Sequence, residues 1–352
     1  MKYPALLALP EVLPELARFD AIIDVRSPAE FAEDHLPGAI NCPVLDNAER
    51  ITIGTLYKQV NAFEAKKAGA VLVARNIARH IETTFLQQSK EWRPLIYCWR
   101  GGNRSGAMAH ILAKIGWPAV QLDGGYKAYR RHVNDSLPEL SARYTYRVIC
   151  GTTGSGKSRL LQTLAAQGAQ VLDLEQLAEH RGSVLGGLPS APQPSQKMFE
   201  SRLWQTLGGF DVTRPVYVES ESKKVGNVRI PEALMVSIRA ADCITLGLSQ
   251  PLRVELLMEE YAHFVADPEA LIVQLDCLTT LYGKERVALW HSMARNGDMP
   301  TLVDDLLVHH YDPAYNKSID RNFARIAQAR PLCLTAISAV AFEQAARALL
   351  AV

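Results

Sequence analysis

The sequence predicts an α/β protein made of two successive parallel-sheet domains, the second of which continues into a helical carboxyl-terminal part. Three observations predict this fold class. Short apolar runs that end in turn residues alternate with helix-like segments along most of the chain. Two of these runs lead directly into glycine-containing loops that are followed by helix-like segments. From Pro251 onward, the spacing of the apolar residues becomes helical.

The first domain is predicted to cover residues 1–135. Its strand candidates are three short apolar runs: Ala21–Val25, Pro94–Cys98 and Ala119–Leu122. The pair Gly124–Gly125 ends this unit. The stretch Tyr126–Tyr146 is polar, rich in Arg and Tyr, and contains Pro138, so we interpret it as the connector between the domains.

The second domain is predicted to cover residues 136–250, and residues 251–352 form its helical extension. Its strand candidates are Arg147–Cys150, Gln170–Leu174, Val216–Val218 and Cys243–Leu248. Breaks in the helical extension are expected near Asp267–Pro268, Gly297–Pro300 and Asp312–Pro313. The segment Gly182–Gln196 is dense in Gly, Pro and Ser, which is typical either of a mobile loop over a site or of a plain connecting loop.

Composition limits the classes of function that the chain can serve. With 352 residues, 48% hydrophobic and 21% charged, it is typical of a soluble globular protein with two domains. A net charge of +1 means that any nucleic-acid surface must be a local patch. The six cysteines show neither a C-x-x-C pair nor metal-ligand spacing. Five are expected to be buried structural residues: Cys42, Cys150, Cys243, Cys277 and Cys333.

The amino-terminal segment is apolar, but Pro4, Pro10 and Pro14 interrupt it, and acidic residues follow too soon for a secretory signal. No later apolar run approaches the length needed to span a membrane. We therefore expect a cytoplasmic protein with no membrane partner.

A phosphate-binding loop is the first strong motif. Eight consecutive residues fit the pattern G-x-x-x-x-G-K-[ST]: Gly151, Thr152, Thr153, Gly154, Ser155, Gly156, Lys157 and Ser158. An apolar strand precedes them and a helix-like run follows, as the motif requires. The glycines let backbone N–H groups turn inward around an anion, and the helix amino terminus adds partial positive charge. Lys157 can reach a terminal phosphate and Ser158 can ligate Mg²⁺. The motif predicts a bound phosphate or diphosphate, but it leaves the reaction open.

Carboxylates follow the next two strands of this domain. Asp173 and Glu175 end one strand, and Glu219 and Glu221 end another. Because ligands of parallel sheets bind beyond the carboxyl ends of the strands, these acids could hold Mg²⁺ or act as a base. Solvated loop carboxylates are the equally open alternative, and no protein metal site is certain.

Several basic residues of the second domain are candidates for contacts with RNA or phosphate: His180, Arg181, Lys223, Lys224 and Arg229. A solvated charged face is the alternative interpretation of these residues.

A cysteine loop is the second strong motif. Leu95–Ser105 reads LIYCWRGGNRS, so a strand delivers Cys98 into a glycine-containing loop that runs into a helix-like segment. Backbone N–H groups, a helix amino terminus, Arg100 and Arg104 would surround the sulfur, and such surroundings make the thiolate the working species. The same cradle can bind an oxyanion. Cys98 is therefore predicted to be the reactive cysteine.

The spacing Cys98-x5-Arg104-Ser105 also fits cysteine-dependent phosphatases, in which a phosphocysteine forms. Tyr97 stands where those enzymes usually carry histidine, and no Asp is obviously placed as the acid for the leaving group. This interpretation is therefore kept as an alternative.

Two segments of the first domain resemble the rhodanese family. Asp24–Asn41 resembles the rhodanese signature near the first core strand, and Leu122–Tyr129 resembles the end of that domain. Ordinary sulfurtransferases of this kind place an arginine five residues after the cysteine, whereas Arg104 lies six after Cys98. The departure implies a wider cradle and argues against simple sulfur transfer from thiosulfate.

The wider cysteine loop fused to this P-loop resembles the tRNA 2-selenouridine synthase family. Three further segments carry the same resemblance: Asp173–Ser183, Gln193–Glu200 and Val218–Gly226. The resemblance covers roughly residues 10–230 and implies a rhodanese-like domain followed by a P-loop NTPase-like domain.

That resemblance implies replacement of sulfur by selenium in 2-thiouridine at the wobble position of certain tRNAs. Geranyl diphosphate first alkylates the sulfur, and selenophosphate, made by a separate supplier, then provides selenium. By the same resemblance Cys98 is needed for selenium transfer, and we predict that it either holds selenium or assists at the selenophosphate, with Arg100 and Arg104 holding the oxyanion. The P-loop is assigned to geranyl diphosphate because tRNA dimethylallyltransferases also bind a prenyl diphosphate on a P-loop. An apolar pocket is expected near it, in the helical part. No tightly bound cofactor is expected, and Mg²⁺ is an open possibility.

Two other functions stay open at this point. The P-loop could bind ATP in a kinase or an ATP-dependent sulfurtransferase. The chain could also be a redox-sensing or regulatory nucleotide-binding module without tRNA chemistry.

Overall fold

The computed structural model describes residues 3–183, 186 and 192–351. The chain divides into two compact units, Met1–Leu137 with Glu200–Gln205, and Pro138–Phe199 with Thr206–Val352. Each unit contains a five-stranded parallel sheet, so the predicted fold class is confirmed. Residues 184, 185 and 187–191 of the glycine- and proline-rich segment Gly182–Gln196 lie outside the described residues.

The first unit carries the amino-terminal sheet. Its strands are β1 (Ala5–Leu7), β2 (Ala21–Asp24), β3 (Ala39–Asn41), β4 (Pro94–Tyr97) and β5 (Val120–Leu122). Its helices are α1 (Leu9–Val12), α2 (Pro28–Glu33), α3 (Asn47–Gln59), α4 (Ala62–His80), α5 (Asn103–Ile115) and α6 (Gly125–Ala142), the last of which continues into the second unit. The strand order is β1-β5-β4-β2-β3, with every pair parallel.

Alternation along the strands buries both faces of this sheet. Ile23 and Ile96 pack on one face with Met108 of α5, whereas Leu95 and Tyr97 pack on the other face. Helices therefore cover the sheet on both sides, as is usual for parallel sheets.

The stretch Tyr126–Tyr146, which we interpreted as a polar connector, is mostly helical, because Gly125–Ala142 forms the helix α6. Its apolar side chains Tyr126, Tyr129, Val133 and Leu137 recur every three or four residues and are buried. This spacing places them on one helical face. The polar composition and Pro138 obscured that periodicity.

The second unit follows the same plan. Its strands are β6 (Tyr146–Cys150), β7 (Gln170–Leu172), β8 (Val216–Glu219), β9 (Lys224–Val225), β10 (Val228–Arg229), β11 (Asp242–Gly247) and β12 (Arg330–Cys333). Its helices are α7 (Lys157–Ala166), α8 (Leu174–Ala178), α9 (Gln196–Gly208, which contributes six residues to the first unit), α10 (Glu232–Arg239), α11 (Gln250–Glu260), α12 (Ala262–Ala266), α13 (Pro268–Leu275), α14 (Thr279–Arg295), α15 (Met299–Leu306), α16 (Asp312–Asn322) and α17 (Ala339–Leu350). The sheet order is β12-β11-β6-β8-β7, all parallel, and β9 and β10 form a separate antiparallel hairpin.

Two details of the carboxyl-terminal part differ from the prediction. The helical spacing is interrupted by β12, which pairs in parallel with β11 and returns the chain to the sheet. A proline is tolerated there, because β12 is an edge strand and Pro331 needs no outer partner. The expected break at Asp312–Pro313 is also absent from the described backbone. The helix runs from α15 through one π-helical segment, Leu307–Tyr311, into α16, where proline occupies an early position of the last segment.

The cysteine predictions were partly wrong. Cys42, Cys150 and Cys243 are buried, as expected, but Cys277 and Cys333 are exposed. Cys277 lies in a short 3-10 turn between α13 and α14, and Cys333 ends the edge strand β12. At neither site do neighbouring elements cover the cysteine side chain completely. In the described part of the chain, no helix has both the length and the apolar character needed to span a membrane.

Candidate active sites

Both motif loops follow the central strand of a five-stranded sheet. Cys98 comes directly after β4, and Gly151 comes directly after β6. In each sheet the chain order reverses around this strand, and a crevice at the carboxyl ends of the strands is the usual ligand site of such sheets. The helices that follow, α5 and α7, both begin after a left-handed glycine, with φ of 73° at Gly102 and 87° at Gly156. Helix amino termini of this kind present N–H groups to an anion.

Cys98 lies at the bottom of its loop and is 3% exposed. The hydroxyl of Ser105 donates a hydrogen bond to its sulfur over 3.3 Å. Gln121 holds the loop from below, because its side-chain amide donates to the carbonyl of Gly102 at 3.1 Å and to the Ser105 hydroxyl at 3.2 Å. The sulfur therefore lies in a polar cradle whose geometry is set by neighbouring side chains.

The start of α6 fixes the other side of the cysteine loop. The backbone N–H groups of Tyr126 and Lys127 donate to the carbonyls of Cys98 and Trp99, at 2.8 and 2.9 Å. Gly125 has a φ of 53°, and a Cβ placed on it would lie 2.4 Å from the Cys98 carbonyl oxygen. Only glycine therefore allows this close approach.

The two arginines of the loop have different environments. Arg104 forms an ion pair with Glu30 of α2, with Nη1 and Nη2 at 2.8 and 3.3 Å from the carboxylate oxygens. Burial alone would raise the pKa of Glu30, but the hydrogen bond and charge of Arg104 lower it to about 2. Arg100 is exposed at the surface of the loop. The structure thus holds Arg104 in place and leaves Arg100 at the surface.

The P-loop is held in place by the carboxyl-terminal helices. Arg253 of α11 donates to the carbonyl of Thr153 at 2.7 and 2.9 Å and pairs with Asp312 at 2.6 Å. Tyr315 of α16 accepts a hydrogen bond from the N–H of Gly151. These two contacts join the loop to residues more than ninety positions away in the sequence.

Lys157 is folded back onto its own loop. Its ammonium group donates to the carbonyls of Gly151 and Thr152, at 2.6 and 3.3 Å, and lies 5.5 Å from the ring centroid of Tyr315. The ammonium group of Lys157 therefore already lies beside the loop at which a phosphate would bind. To reach a phosphate, it must exchange these carbonyl contacts for the phosphate oxygens.

Carboxylates predicted from the sequence converge beside Ser158. The Ser158 hydroxyl donates to Glu175 at 2.8 Å, and the backbone N–H of Glu175 donates to Glu219 at 3.0 Å. Glu221 is hydrogen-bonded to Glu175. Asp173 instead accepts from the N–H of Gln176 and begins α8. Of the four predicted acids, Glu175 therefore stands at the centre of the group.

This crowding changes the proton affinity of the group. Burial, and then the charge of Glu221, raise the pKa of Glu175 to about 7. Burial raises the pKa of Glu219 well above its ordinary value, and the pKa values of Glu221 and Asp173 are raised by the same cause. Burial therefore favours the protonated forms of all four carboxyls, and the pKa of Glu175 lies near neutral pH, where a general acid or base is most effective.

The described residues contain no ready cluster of three or more His, Cys, Asp or Glu side chains for a metal ion. Ser158 and Glu175 nevertheless supply the oxygen ligands that Mg²⁺ prefers, and phosphate oxygens and water usually complete such a site. The donor set present fits a Mg²⁺ ion that arrives with a phosphate ligand.

The predicted basic contacts fall into two groups. Arg181 lies over the ring of Tyr261, at 4.6 Å, and donates to the carbonyl of Glu260, while His180 accepts from the N–H of Gly182. Both residues therefore belong to the unit that contains the P-loop. They directly precede Gly182, whose backbone lies close to the carboxylates of Glu221 and Glu175.

The second group lies at the β9–β10 hairpin. Lys224 and Arg229 are directly opposite each other on the hairpin and exposed, so they share a face. Lys223 pairs with Glu232 at 2.9 Å.

Sequence reasoning missed several residues that shape both sites. Glu30 lies within the quoted rhodanese-like segment, and Ser105 within the quoted loop, so a closer look at those motifs could have found them. Arg253 and Tyr315 carried no local signal, because their contacts with the P-loop depend on the packing of distant helices.

The fold and the two loops define a class of protein: a rhodanese-type cysteine domain joined to a P-loop domain. Residues 9–132 match the rhodanese-like domain family, and residues 144–275 match the family described as the tRNA 2-selenouridine synthase AAA domain. Relatives of one family align with this chain, two of them over more than 90% of their own length. The chain belongs to the tRNA 2-selenouridine synthase family.

Three relatives illustrate the match. A tRNA 2-selenouridine synthase of Sulfurovum sp. strain NBC37-1 is 30% identical over 90% of this chain and 95% of its own length. That of Alcanivorax borkumensis is 31% identical over 87% and 91%. That of Nitrosomonas europaea is 36% identical, but the match spans 68% of this chain and only 63% of the relative's length.

Proposed function

We propose that this protein replaces the sulfur of wobble 2-thiouridine in tRNA by selenium, through S-geranylation with geranyl diphosphate and selenation with selenophosphate. The observation that carries the proposal is the pair of anion cradles, one holding Cys98 and the other Lys157, in a chain of this family. Two chemically different phosphorus-containing donors need two such cradles. Cytoplasmic tRNA with 2-thiouridine in its anticodon loop is the proposed partner, together with an enzyme that supplies selenophosphate.

The first half-reaction is assigned to the P-loop. The thiocarbonyl sulfur attacks C1 of geranyl diphosphate, a C–S bond forms, and the C–O bond to diphosphate breaks. Lys157 and the loop N–H groups stabilise the charge that develops on the leaving diphosphate. The N3 proton of the uracil ring passes to Glu221, which is hydrogen-bonded to Glu175. The product is an S-geranyl thioether, whose sulfur is a far better leaving group than a thiocarbonyl.

Mg²⁺ would contribute charge stabilisation to this half-reaction. Ser158 would be its protein ligand through the hydroxyl oxygen, while the hydroxyl proton would stay in the 2.8 Å hydrogen bond that Ser158 donates to Glu175.

The second half-reaction is assigned to Cys98. Its thiolate attacks the phosphorus of selenophosphate, so that an S–P bond forms and the P–Se bond breaks. The released selenide adds to C2 of the modified uracil and expels the geranyl thiolate, which takes up a proton. Water then cleaves the phosphocysteine to phosphate and regenerates the thiol. Arg104 lies six positions after Cys98, a spacing shared with cysteine-dependent phosphatases, and this supports attack at phosphorus.

A protection experiment separates this function from an ATP-dependent one. Limited proteolysis of the protein is compared in the presence of geranyl diphosphate, of ATP, and of neither, for the parent chain and for Lys157→Ala. We expect protection by geranyl diphosphate that Lys157→Ala weakens at least tenfold. Protection by ATP alone, with ATP turnover that depends on Lys157, would instead identify a kinase or an adenylating sulfurtransferase.

The cysteine-phosphatase alternative shares the Cys98 chemistry and differs in its substrate. We expect selenophosphate to leave a phosphoryl group on Cys98, visible by mass after acid quenching. Rapid turnover of p-nitrophenyl phosphate, with no consumption of selenophosphate, would favour the phosphatase.

A further inference from the structure

An apolar cavity opens beside the P-loop in the second unit. Its volume is about 70 Å³, and its lining is almost entirely apolar. The described residues that line it come from α11, α12, α13 and α15, from Tyr261 between α11 and α12, from the π-helical segment after α15, and from two polar positions, Thr153 and Ser183. The cavity therefore begins at the phosphate-binding loop and continues into the helices.

The walls of this cavity are formed mainly by apolar side chains. Its lining includes Leu257, Phe264, Leu271, Leu302 and Val303. Leu257 also adjoins the loop itself, since a Cβ on Gly154 would lie 2.8 Å from its side chain. A ligand held by the loop is therefore next to an apolar wall.

Polar groups gather at the end where the phosphate would lie. Tyr261, Tyr311 and Ser183 all line the cavity, and the guanidinium of Arg181 lies 4.6 Å from the ring centroid of Tyr261. Thr153 belongs to the loop. The site thus offers cationic and hydroxyl groups at one end and only apolar surface beyond them, which fits an amphiphile with an anionic head.

A nucleotide fits this lining poorly. A purine carries several ring and exocyclic polar atoms, and each one buried without a partner costs roughly 1–3 kcal/mol. Among the described lining residues, no Asn, Gln, Asp or Glu is present to hydrogen-bond a base edge. An unbranched or methyl-branched hydrocarbon chain carries no such cost and gains from burial.

We infer that this cavity, which we call the chain pocket, holds the isoprenoid chain of the diphosphate bound at the P-loop and limits its length. The inference rests on the proposed function and adds to it the site of the chain. Val303 of α15 is half-buried and lines the pocket, so a larger side chain there would shorten the space without disturbing the fully buried core.

Affinity measurements on matched variants test the chain pocket. Binding of geranyl diphosphate and of inorganic pyrophosphate is measured by calorimetry for the parent, for Val303→Phe, and for Val308→Phe. Val308 lies just after the same helix, but is 43% exposed and is not a lining residue, so it controls for the added ring. Melting temperatures of all three proteins check that they are folded.

We expect the parent to bind geranyl diphosphate at least tenfold more tightly than pyrophosphate. Val303→Phe should lose most of that preference and keep its pyrophosphate affinity, while Val308→Phe keeps both. Equal binding of the two ligands by the parent, or an unchanged preference in folded Val303→Phe, overturns the inference. If the parent geranylates tRNA but Val303→Phe still prefers geranyl diphosphate to pyrophosphate, the chain pocket is refuted and the proposed function is not. If the parent binds geranyl diphosphate but modifies no tRNA, the proposed function is refuted.

Discussion

The hydroxyl of Ser105 donates a hydrogen bond to the sulfur of Cys98 over 3.3 Å. Ser105 lies in the first turn of α5, so the same helix supplies both this hydroxyl and its amino-terminal N–H groups to the cysteine loop. Hydrogen bonds to a thiolate favour its charged form. A side-chain donor therefore contacts the sulfur, in addition to the backbone groups that the sequence predicts around Cys98.

Replacing Ser105 by alanine should slow selenium transfer. Hydrogen bonds to charged groups contribute about 1.5–3 kcal/mol, so we expect a loss of roughly tenfold to a hundredfold in the selenation rate, with geranyl transfer unchanged. The rate of Cys98 alkylation by iodoacetamide at fixed pH should fall as well. Ser136→Ala, which removes a hydroxyl bonded to the His132 carbonyl in α6, is the control. Equal selenation rates in the two variants would contradict the role of Ser105.

Replacing Gly125 by alanine should displace the cysteine loop. The added Cβ would lie 2.4 Å from the backbone oxygen of Cys98, and backbone cannot move away as a flexible side chain can. Gly168→Ala is the matched control, because its φ of 85° imposes similar backbone strain, but no atom lies within 4 Å of the new Cβ. We expect both variants to melt at a lower temperature. Only Gly125→Ala should lose selenation by more than tenfold, and full selenation by a folded Gly125→Ala would contradict this.

The features that could be predicted from the sequence are those whose interacting residues are close together along the chain. Both motif loops were predicted from sequence, since their glycines, strand and helix are contiguous and encode a local geometry. The helix α6 was missed because Pro138 and a polar composition outweighed the periodic Tyr126, Tyr129 and Val133. Predicting which cysteines are buried failed at Cys277 and Cys333, because exposure depends on neighbours that are distant in sequence.

The ion pair of Glu30 with Arg104 should show in acid stability. Arg104 lowers the pKa of Glu30 from 4.5 to about 2, so the ionised carboxylate favours the folded state. Its contribution is complete above the unfolded pKa and is lost as pH falls through the folded one. We therefore expect the urea midpoints of the parent and Glu30→Gln to differ most above pH 5, and to converge as pH falls toward about 2. Glu82→Gln, an exposed carboxylate in the same unit, is the control; a pH-independent difference for Glu30→Gln would contradict the ion pair's role.

Geranyl transfer should depend on the protonation of the carboxylates beside Ser158. The pKa of Glu175 is raised to about 7, and its hydrogen bond with Glu221 makes the two titrate together. A base acts only when ionised, so the transfer rate should rise with pH and level off above about 7. Glu221→Gln should lower the plateau at least tenfold and flatten this profile. Glu232→Gln, which removes an exposed partner of Lys223, should leave it unchanged. A Glu221→Gln profile identical to that of the parent would exclude this residue as the proton acceptor.

The shape of the P-loop site lay beyond the reach of sequence motifs. Arg253 and Tyr315 contact the loop from helices more than ninety residues downstream, and the chain pocket exists only because several helices pack together. A pocket was expected near the P-loop from the resemblance, but no spacing in the sequence indicated which residues line it.

The central claim is that Cys98 and the P-loop carry two separable half-reactions. Its most direct test is to incubate Cys98→Ser and Lys157→Ala with a 2-thiouridine anticodon stem-loop, geranyl diphosphate and selenophosphate, and to weigh the nucleosides formed. Cys98→Ser should accumulate S-geranyl-2-thiouridine without 2-selenouridine. Lys157→Ala should leave 2-thiouridine unreacted, yet form 2-selenouridine from a stem-loop that already carries the geranyl group. Loss of geranylation in a folded Cys98→Ser, or failure of Lys157→Ala on the geranylated stem-loop, would contradict the account.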